Sequence, residues 1–293
     1  MQVSAEYRPP LAGLDQALRE VAPYLSRARN ARGAGYVNQE GGDVGEHSTE
    51  RSLYRHVANY LAAAELAEAA KLSNSVLDVG SGTGALGAWV AERLGAELHL
   101  VDRDAAVRRV AQAAFPQAHV HAELTELPQA TVGMVTAMVV IEHVAPAEQA
   151  DFVAALVSRV EPGGLLVMST PDESGYLGGW SGYAPHIGPL TAPQLDALLR
   201  SAAPAGADVM VWRMQGDAFH LGKVRRVVHP VANRLWTRLE PVLSPVTHRL
   251  VGPAAKFADL ARTHAGPAMA PEVHVVPATE GAGTGLLGVV TVP

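Results

Sequence analysis

The chain has 293 residues, 48% of them hydrophobic, and a formal net charge of −6. That length can bury a full core, and the composition reads as one elaborated α/β domain. The acidic balance argues against nucleic acid as a partner, since a basic surface is needed to neutralise phosphates. The absence of cysteine excludes disulfides, thiolate metal sites and a cysteine nucleophile.

Taken in order, Met1 to Glu6 lacks the basic and apolar blocks of a secretory signal. No stretch reaches the roughly 20 apolar residues of a membrane span, so a cytoplasmic location is expected. Leu11, Leu14, Leu18, Val21 and Leu25 recur at helical spacing and predict a first helix over residues 10–28. Asn30 to His47 reads as a glycine-rich polar loop whose Tyr36 and His47 either face a ligand or are ordinary solvated residues. Ser48-Thr49-Glu50-Arg51 resembles a helix start, and Leu53, Val57, Leu61, Ala64 and Leu66 carry the apolar stripe onward.

Val76-Leu77-Asp78-Val79-Gly80-Ser81-Gly82-Thr83-Gly84 is the most informative segment: an apolar strand ending in an acid, then three glycines alternating with small residues. Glycine lets a backbone approach a ligand closely and accepts positive φ. Ala85 to Leu94 has helix-forming composition, so N–H groups of the loop should point at a ligand from a helix N-terminus. Glu97 to Asp102 reads as a second strand ending in a carboxylate eighteen residues beyond Gly84, suited to accept hydrogen bonds from ribose hydroxyls. Gly82, Gly84 and Gly87 also satisfy the dinucleotide pattern G-x-G-x-x-G, which leaves a nicotinamide enzyme open.

Further on come His121-Ala122-Glu123-Leu124-Thr125-Glu126-Leu127-Pro128, the apolar run Val132 to Ile141, and the ending Ile141-Glu142-His143-Val144. A helix is predicted over Asp151–Val160, a strand over Leu165–Ser169, a capped helix over Thr191–Ser201 and a strand over Asp208–Met214. Between Ala218 and His264, eight Lys or Arg residues face two acids, and apolar residues recur helically. Such a basic amphipathic segment suits an anionic membrane surface or an acidic substrate, or else a helical cap packed on the domain or, in self-association, on a second subunit with its charges solvated. Ala265 to Gly283, rich in Pro and Gly, reads as a loop, and Gly285 to Val292 as a last strand.

The glycine segment, the acid at 102, the Glu123 to Pro128 segment and Val160-Glu161-Pro162-Gly163-Gly164-Leu165, in that order, resemble the class I S-adenosylmethionine-dependent methyltransferases. The likeness is to the small-molecule branch that includes the ubiquinone-biosynthesis O-methyltransferases, over roughly residues 50–212 and the last strand. It implies a Rossmann-like, seven-stranded, mostly parallel sheet with an antiparallel C-terminal strand, N-terminal helices and a helical insertion before the last strand. The organisation expected is N-terminal helices and lid loop over 1–70, a cofactor-binding core over 71–216, a basic helical insertion over 217–280 and the final strand over 281–293. The implied cofactor is S-adenosylmethionine.

Carried over by position, Asp78, Gly80, Gly82 and Gly84 match the loop around the methionine part of the cofactor. Asp102, with Arg103 beside it, matches the ribose-binding acid. Glu123 stands where the family usually has an aspartate near the adenine amino group, Leu124 would lie on the ring, and Met138 would lie near the sulfur. Two departures stand out: Glu123 is longer than aspartate, and Val132-Gly133 replaces the usual Phe-Asp. In the ubiquinone O-methyltransferases a Glu-x-x-Glu-His sequence is associated with a divalent cation. Glu142-His143 preserves only its end, with Val139 at the first acid position, so no metal is assigned.

An electrophilic methyl group needs an aligned nucleophile and, for a hydroxyl, a group to take its proton. His143, after the fourth strand, is the first candidate, and His186, in the loop Gly175 to Pro189, the second. His143 also reads as a residue that merely hydrogen-bonds backbone. The expected activity is methyl transfer to oxygen, with nitrogen or carbon open, on a small metabolite or natural product. The alternatives are an NAD(P)-dependent oxidoreductase, or a non-catalytic S-adenosylmethionine-binding protein recruited through its basic segment.

Overall fold

The chain is described here from a computed structural model. The described residues are 7–32, 50–176, 178–216, 273–280 and 285–293, together with positions 227, 230, 231 and 235. Tyr36, His47 and nearly all of the basic segment 218–264 lie outside them.

Eight strands form one sheet: β1 (Ser75–Val79), β2 (Glu97–Val101), β3 (His119–His121), β4 (Val132–Met138), β5 (Val160–Pro171), β6 (Asp208–Gly216), β7 (Val273–Pro277) and β8 (Gly285–Thr291). Their order is β3-β2-β1-β4-β5-β8-β6-β7. The pairs from β3 to β5 are parallel, whereas β8 runs antiparallel to both β5 and β6. Order reverses between β1 and β4, so the loops leaving these two neighbours diverge and leave a crevice at their carboxyl ends.

Apolar side chains alternate into two core layers. On β4, Met134 and Met138 join the layer under α1 (Leu14–Ala31), α2 (Glu50–Ala70), α3 (Ala85–Leu94) and α4 (Ala105–Ala114). Val135 and Ala137 join the opposite layer under α5 (Gln149–Val157) and α6 (Ala192–Ala202). Burial on both faces explains why the central strands read as unbroken apolar runs. Local signals set the helix ends: the Asp104 carboxylate accepts from Ala106 N at 2.7 Å, Thr191 and Gln194 form a capping box, and α3 stops at Gly95 with φ +64°.

The strand count corrects the expectation of seven. The additional strand, β7, pairs antiparallel with β6, and it lies in the Pro- and Gly-rich stretch read as a loop. Its signal is short: Val273 and Val275 alternate onto the core while His274 faces out. Pro277, opposite Trp212, is tolerated because β7 is the sheet's edge. Among the described residues no helix is long and apolar enough to cross a membrane.

Candidate functional site

The loop after β1 holds three glycines in the left-handed region, with φ +70° at Gly80, +56° at Gly82 and +78° at Gly84. They serve different ends. A Cβ on Gly80 would stand 2.5 Å from Val140 Cγ2, and one on Gly84 would stand 2.5 Å from Leu100 Cδ1, so both are pressed against the domain. A Cβ on Gly82 would meet nothing within 4 Å, which identifies Gly82 as the glycine facing open space.

The expected array of loop donors is smaller than the sequence suggested. Gly80 N and Ser81 N both donate to the Val101 carbonyl, at 2.8 and 3.1 Å, and Gly84 N donates to Ser81 O. These bonds tie the loop to β2. Gly82 N donates to Asp102 Oδ2 at 2.9 Å, while Asp102 Oδ1 accepts from Asp104 N, also at 2.9 Å. The acid at the end of β2 therefore sits against the outward glycine. Arg103 is exposed, and its carbonyl and that of Asp102 accept from Arg108 Nη1.

Asp78 lies beneath the loop with no solvent exposure. Tyr60 Oη donates to its carboxylate at 3.0 Å and Thr136 Oγ1 at 2.8 Å. Burial nevertheless pushes its pKa up to about 7, and burial with the neighbouring Asp78 charge holds the Tyr60 phenol well above its ordinary value. Gly87 has no Cβ because one would lie 2.6 Å from Asp78 Oδ2. The neighbour of Tyr60 on α2, Asn59, is also buried. Its Nδ2 donates to Ser169 Oγ at 2.9 Å, and its Oδ1 has no partner. Sequence reasoning missed both residues, which looked like ordinary members of an apolar helix.

Of the other expected cofactor contacts, Met138 is buried in the core layer under α2. Glu123 is exposed and accepts from Thr125 Oγ1 at 3.2 Å, and Leu124 is half-buried against the opposite layer.

The two candidate histidines meet. Their rings lie edge to face with centroids 5.1 Å apart, although they leave the sheet after different strands. Val139, at the end of β4, takes φ +61°, a conformation a β-branched residue rarely adopts. The chain there turns into a short 3-10 helix, Ile141–His143. Two clamps hold that turn to the loop after β5. Gly188 N donates to Glu142 O at 2.9 Å, and Gln149 Nε2 donates to the carbonyls of Ile141 and Gly188 at 3.1 and 2.6 Å. A Cβ on Gly188 would come within 2.3 Å of Val144 O, so only glycine fits.

Each histidine is oriented through Nδ1. His143 Nδ1 bonds the Pro185 carbonyl at 3.0 Å, and His186 Nδ1 bonds Glu173 Oε1 at 2.5 Å. Glu173 is 2% exposed and also accepts from Ser181 Oγ at 2.6 Å and Ser181 N at 2.9 Å. Burial alone would raise its pKa, but the bonds from His186 and Ser181 hold it below the usual carboxylate value. Glu142 is 1% exposed, with Oε2 accepting from Thr170 Oγ1 at 3.0 Å, and burial pushes its pKa to about 7. Around His186 stand Trp180, whose indole donates to the His186 carbonyl, and the exposed Tyr183 and Ile187.

A family model described as a methyltransferase domain matches residues 53–220. Solved structures with a similar arrangement include a SAM-dependent methyltransferase from Archaeoglobus fulgidus, 14% identical, with 74% of this chain and 86% of that one covered and a TM-score of 0.46. Phosphoethanolamine N-methyltransferase 2 from Haemonchus contortus, in complex with S-adenosyl-L-methionine, is 13% identical with a TM-score of 0.47; 76% of this chain is covered, and about half (49%) of that one. A protein from Bacillus halodurans assigned as a methyltransferase is 15% identical, with 78% and 98% covered and a TM-score of 0.49. No curated protein matches the chain.

Proposed function

The chain belongs to the methyltransferase-domain family, and from that membership we propose that it is an S-adenosylmethionine-dependent enzyme transferring a methyl group to a hydroxyl oxygen of a small molecule. The membership removes the nicotinamide oxidoreductase reading. The observation that supports oxygen as acceptor is the carboxylate-backed histidine beside the crevice, His186 held by Glu173.

The residues present suit the cofactor. The open face of Gly82 lets a ligand approach the backbone, and Asp102 stands next to it to accept from ribose hydroxyls. When bound, the cofactor supplies a methyl group made electrophilic by a positively charged sulfur. The chain's own task is to hold the acceptor in line and to take its proton. Glu173 fixes the His186 tautomer with the proton on Nδ1, so Nε2 is the basic nitrogen presented to an acceptor hydroxyl. His143, expected as the first candidate, then serves to position the loop through Pro185. Trp180, Tyr183 and Ile187 favour an acceptor with an apolar, ring-bearing body. The same reading includes a cytoplasmic location and membrane or self-association through the basic sequence of 218–264.

The test incubates the protein with methyl-labelled cofactor and a panel of phenols, alcohols and amines. The expected result is label in hydroxyl acceptors, lost in His186→Ala. Label confined to amines, or undiminished in that variant, would overturn the reading.

A further inference from the structure

We propose that Glu142, His143 and His186 hold a divalent cation of the zinc type through one carboxylate oxygen and two imidazole nitrogens. One ligand atom from each residue lies within 4.8 Å of the other two, and no other such group occurs among the described residues. Exposed clusters of this kind arise without an ion, but this one contains a buried carboxyl group. Glu142 is 1% exposed, Thr170 occupies its Oε2, and its Oε1 is buried without a partner. A buried carboxylate oxygen left so is costly, and the rule that such atoms find partners points to one supplied from outside the chain.

The histidines give independent support. A ligating imidazole almost always donates its other N–H to a carbonyl or carboxylate, which orients the ring and raises its basicity. His143 Nδ1 bonds the Pro185 carbonyl and His186 Nδ1 bonds the buried Glu173, so both rings are fixed with Nε2 as the ligating atom. The clamps through Gly188 and Gln149 hold Glu142 and His143 to the loop that carries His186. The site is thus preformed by groups beyond the ligands themselves.

Two imidazoles and one carboxylate suit Zn²⁺ or Co²⁺ better than Mg²⁺ or Ca²⁺, which take oxygen ligands. The set is not that of the Glu-x-x-Glu-His sequence, whose first acid is Val139 here, and His186 belongs to a different loop. Three protein ligands leave a coordination position open. In a role that rests on the methyl-transfer reading, a cation held by these three residues would act as a Lewis acid toward an acceptor hydroxyl and would make its proton easier to lose. With a cation bound, His186 Nε2 is a ligand; without one, the same nitrogen is the base of the methyl-transfer reading.

The experiment treats the full chain with a chelator, removes it, and titrates Co²⁺ by visible absorption and Zn²⁺ by calorimetry. Affinity for S-adenosylhomocysteine and far-UV circular dichroism are measured on the same samples. Expected are one Co²⁺ per chain, displaced by Zn²⁺ but not by excess Mg²⁺, and uptake abolished in Glu142→Gln and His186→Ala that remain folded. Glu173→Gln, which alters the partner of His186 and no ligand, should weaken binding about 10- to 100-fold. His99→Ala, in the separate histidine group on β2 and β3, should bind as wild type. A folded wild type that takes up no Co²⁺, uptake unchanged in Glu142→Gln, or uptake lost in His99→Ala instead would overturn the cation site. Stoichiometric Co²⁺ without any affinity for S-adenosylhomocysteine would leave the cation site standing and overturn the methyl-transfer reading.

Discussion

The glycine loop and the histidine cluster lie at the same end of the sheet but differ in how the chain reaches them. Gly82 meets Asp102 only 20 positions along the sequence, through one helix and one strand. His143 meets Pro185 42 positions along, across a helix, a strand and a clamped loop. The first half depends on backbone conformation that three glycines encode locally; the second depends on side chains that long-range packing brings together. Damage to the two halves should therefore separate, with one affecting cofactor affinity and the other turnover.

The largest separation is expected for His186→Ala, where kcat should fall on the order of 10²–10⁴-fold while affinity for S-adenosylhomocysteine stays within about twofold; steady-state rates and calorimetry read the two. Next is Gly84→Ala. A side chain at φ +78° against Leu100 combines strain with overpacking, and urea denaturation should show a loss of about 2–4 kcal/mol. Gly82→Ala sharpens the contrast, because its Cβ meets open space: stability should fall by only about 1–2 kcal/mol, yet cofactor affinity should fall with it. Asp102→Asn should weaken S-adenosylhomocysteine by about 10- to 100-fold, as loss of charge-assisted hydrogen bonds does, with the fold intact.

This difference also governed what could be read in advance. The α3 boundaries and the start of β2 followed from composition and spacing, and the loop glycines, expected to permit positive φ, all take it, since each is decided within a few residues. The edge strand β7 did not, because two inward valines between prolines carry too short a period to stand out. The support given by Asn59 and Tyr60 was hidden as well: both sit on a helix whose stripe marks it as core, and only packing against β1 and β5 shows their polar ends meeting Asp78 and Ser169. In the sequence Glu173 is one loop carboxylate among others; only the folded contacts with Ser181 and His186 make it the anchor of the second half. For the loop donors, composition suggested more than folding leaves, since the Val101 carbonyl takes two of them.

A separate effect, read through pH, concerns Asp78. The folded chain keeps its proton up to about pH 7, whereas an unfolded aspartate releases it near pH 3.9, roughly the model-peptide value. Its contribution to stability is therefore complete below that lower value and declines as pH rises through the folded one, by up to about 1.4 kcal/mol per pH unit. Urea midpoints between pH 5 and 7.5 should fall more steeply in wild type than in Asp78→Asn; equal slopes would show that the buried carboxyl does not titrate in that window.

The most direct measurement is a calorimetric titration of wild type and Asp102→Ala with S-adenosylhomocysteine, and of wild type with NADH. A glycine loop and acid that grip a methyl-donor nucleoside predict one site for S-adenosylhomocysteine, at least about tenfold weaker in the variant, and no heat with NADH. No binding of S-adenosylhomocysteine by folded wild type, or an affinity indifferent to Asp102, would contradict it.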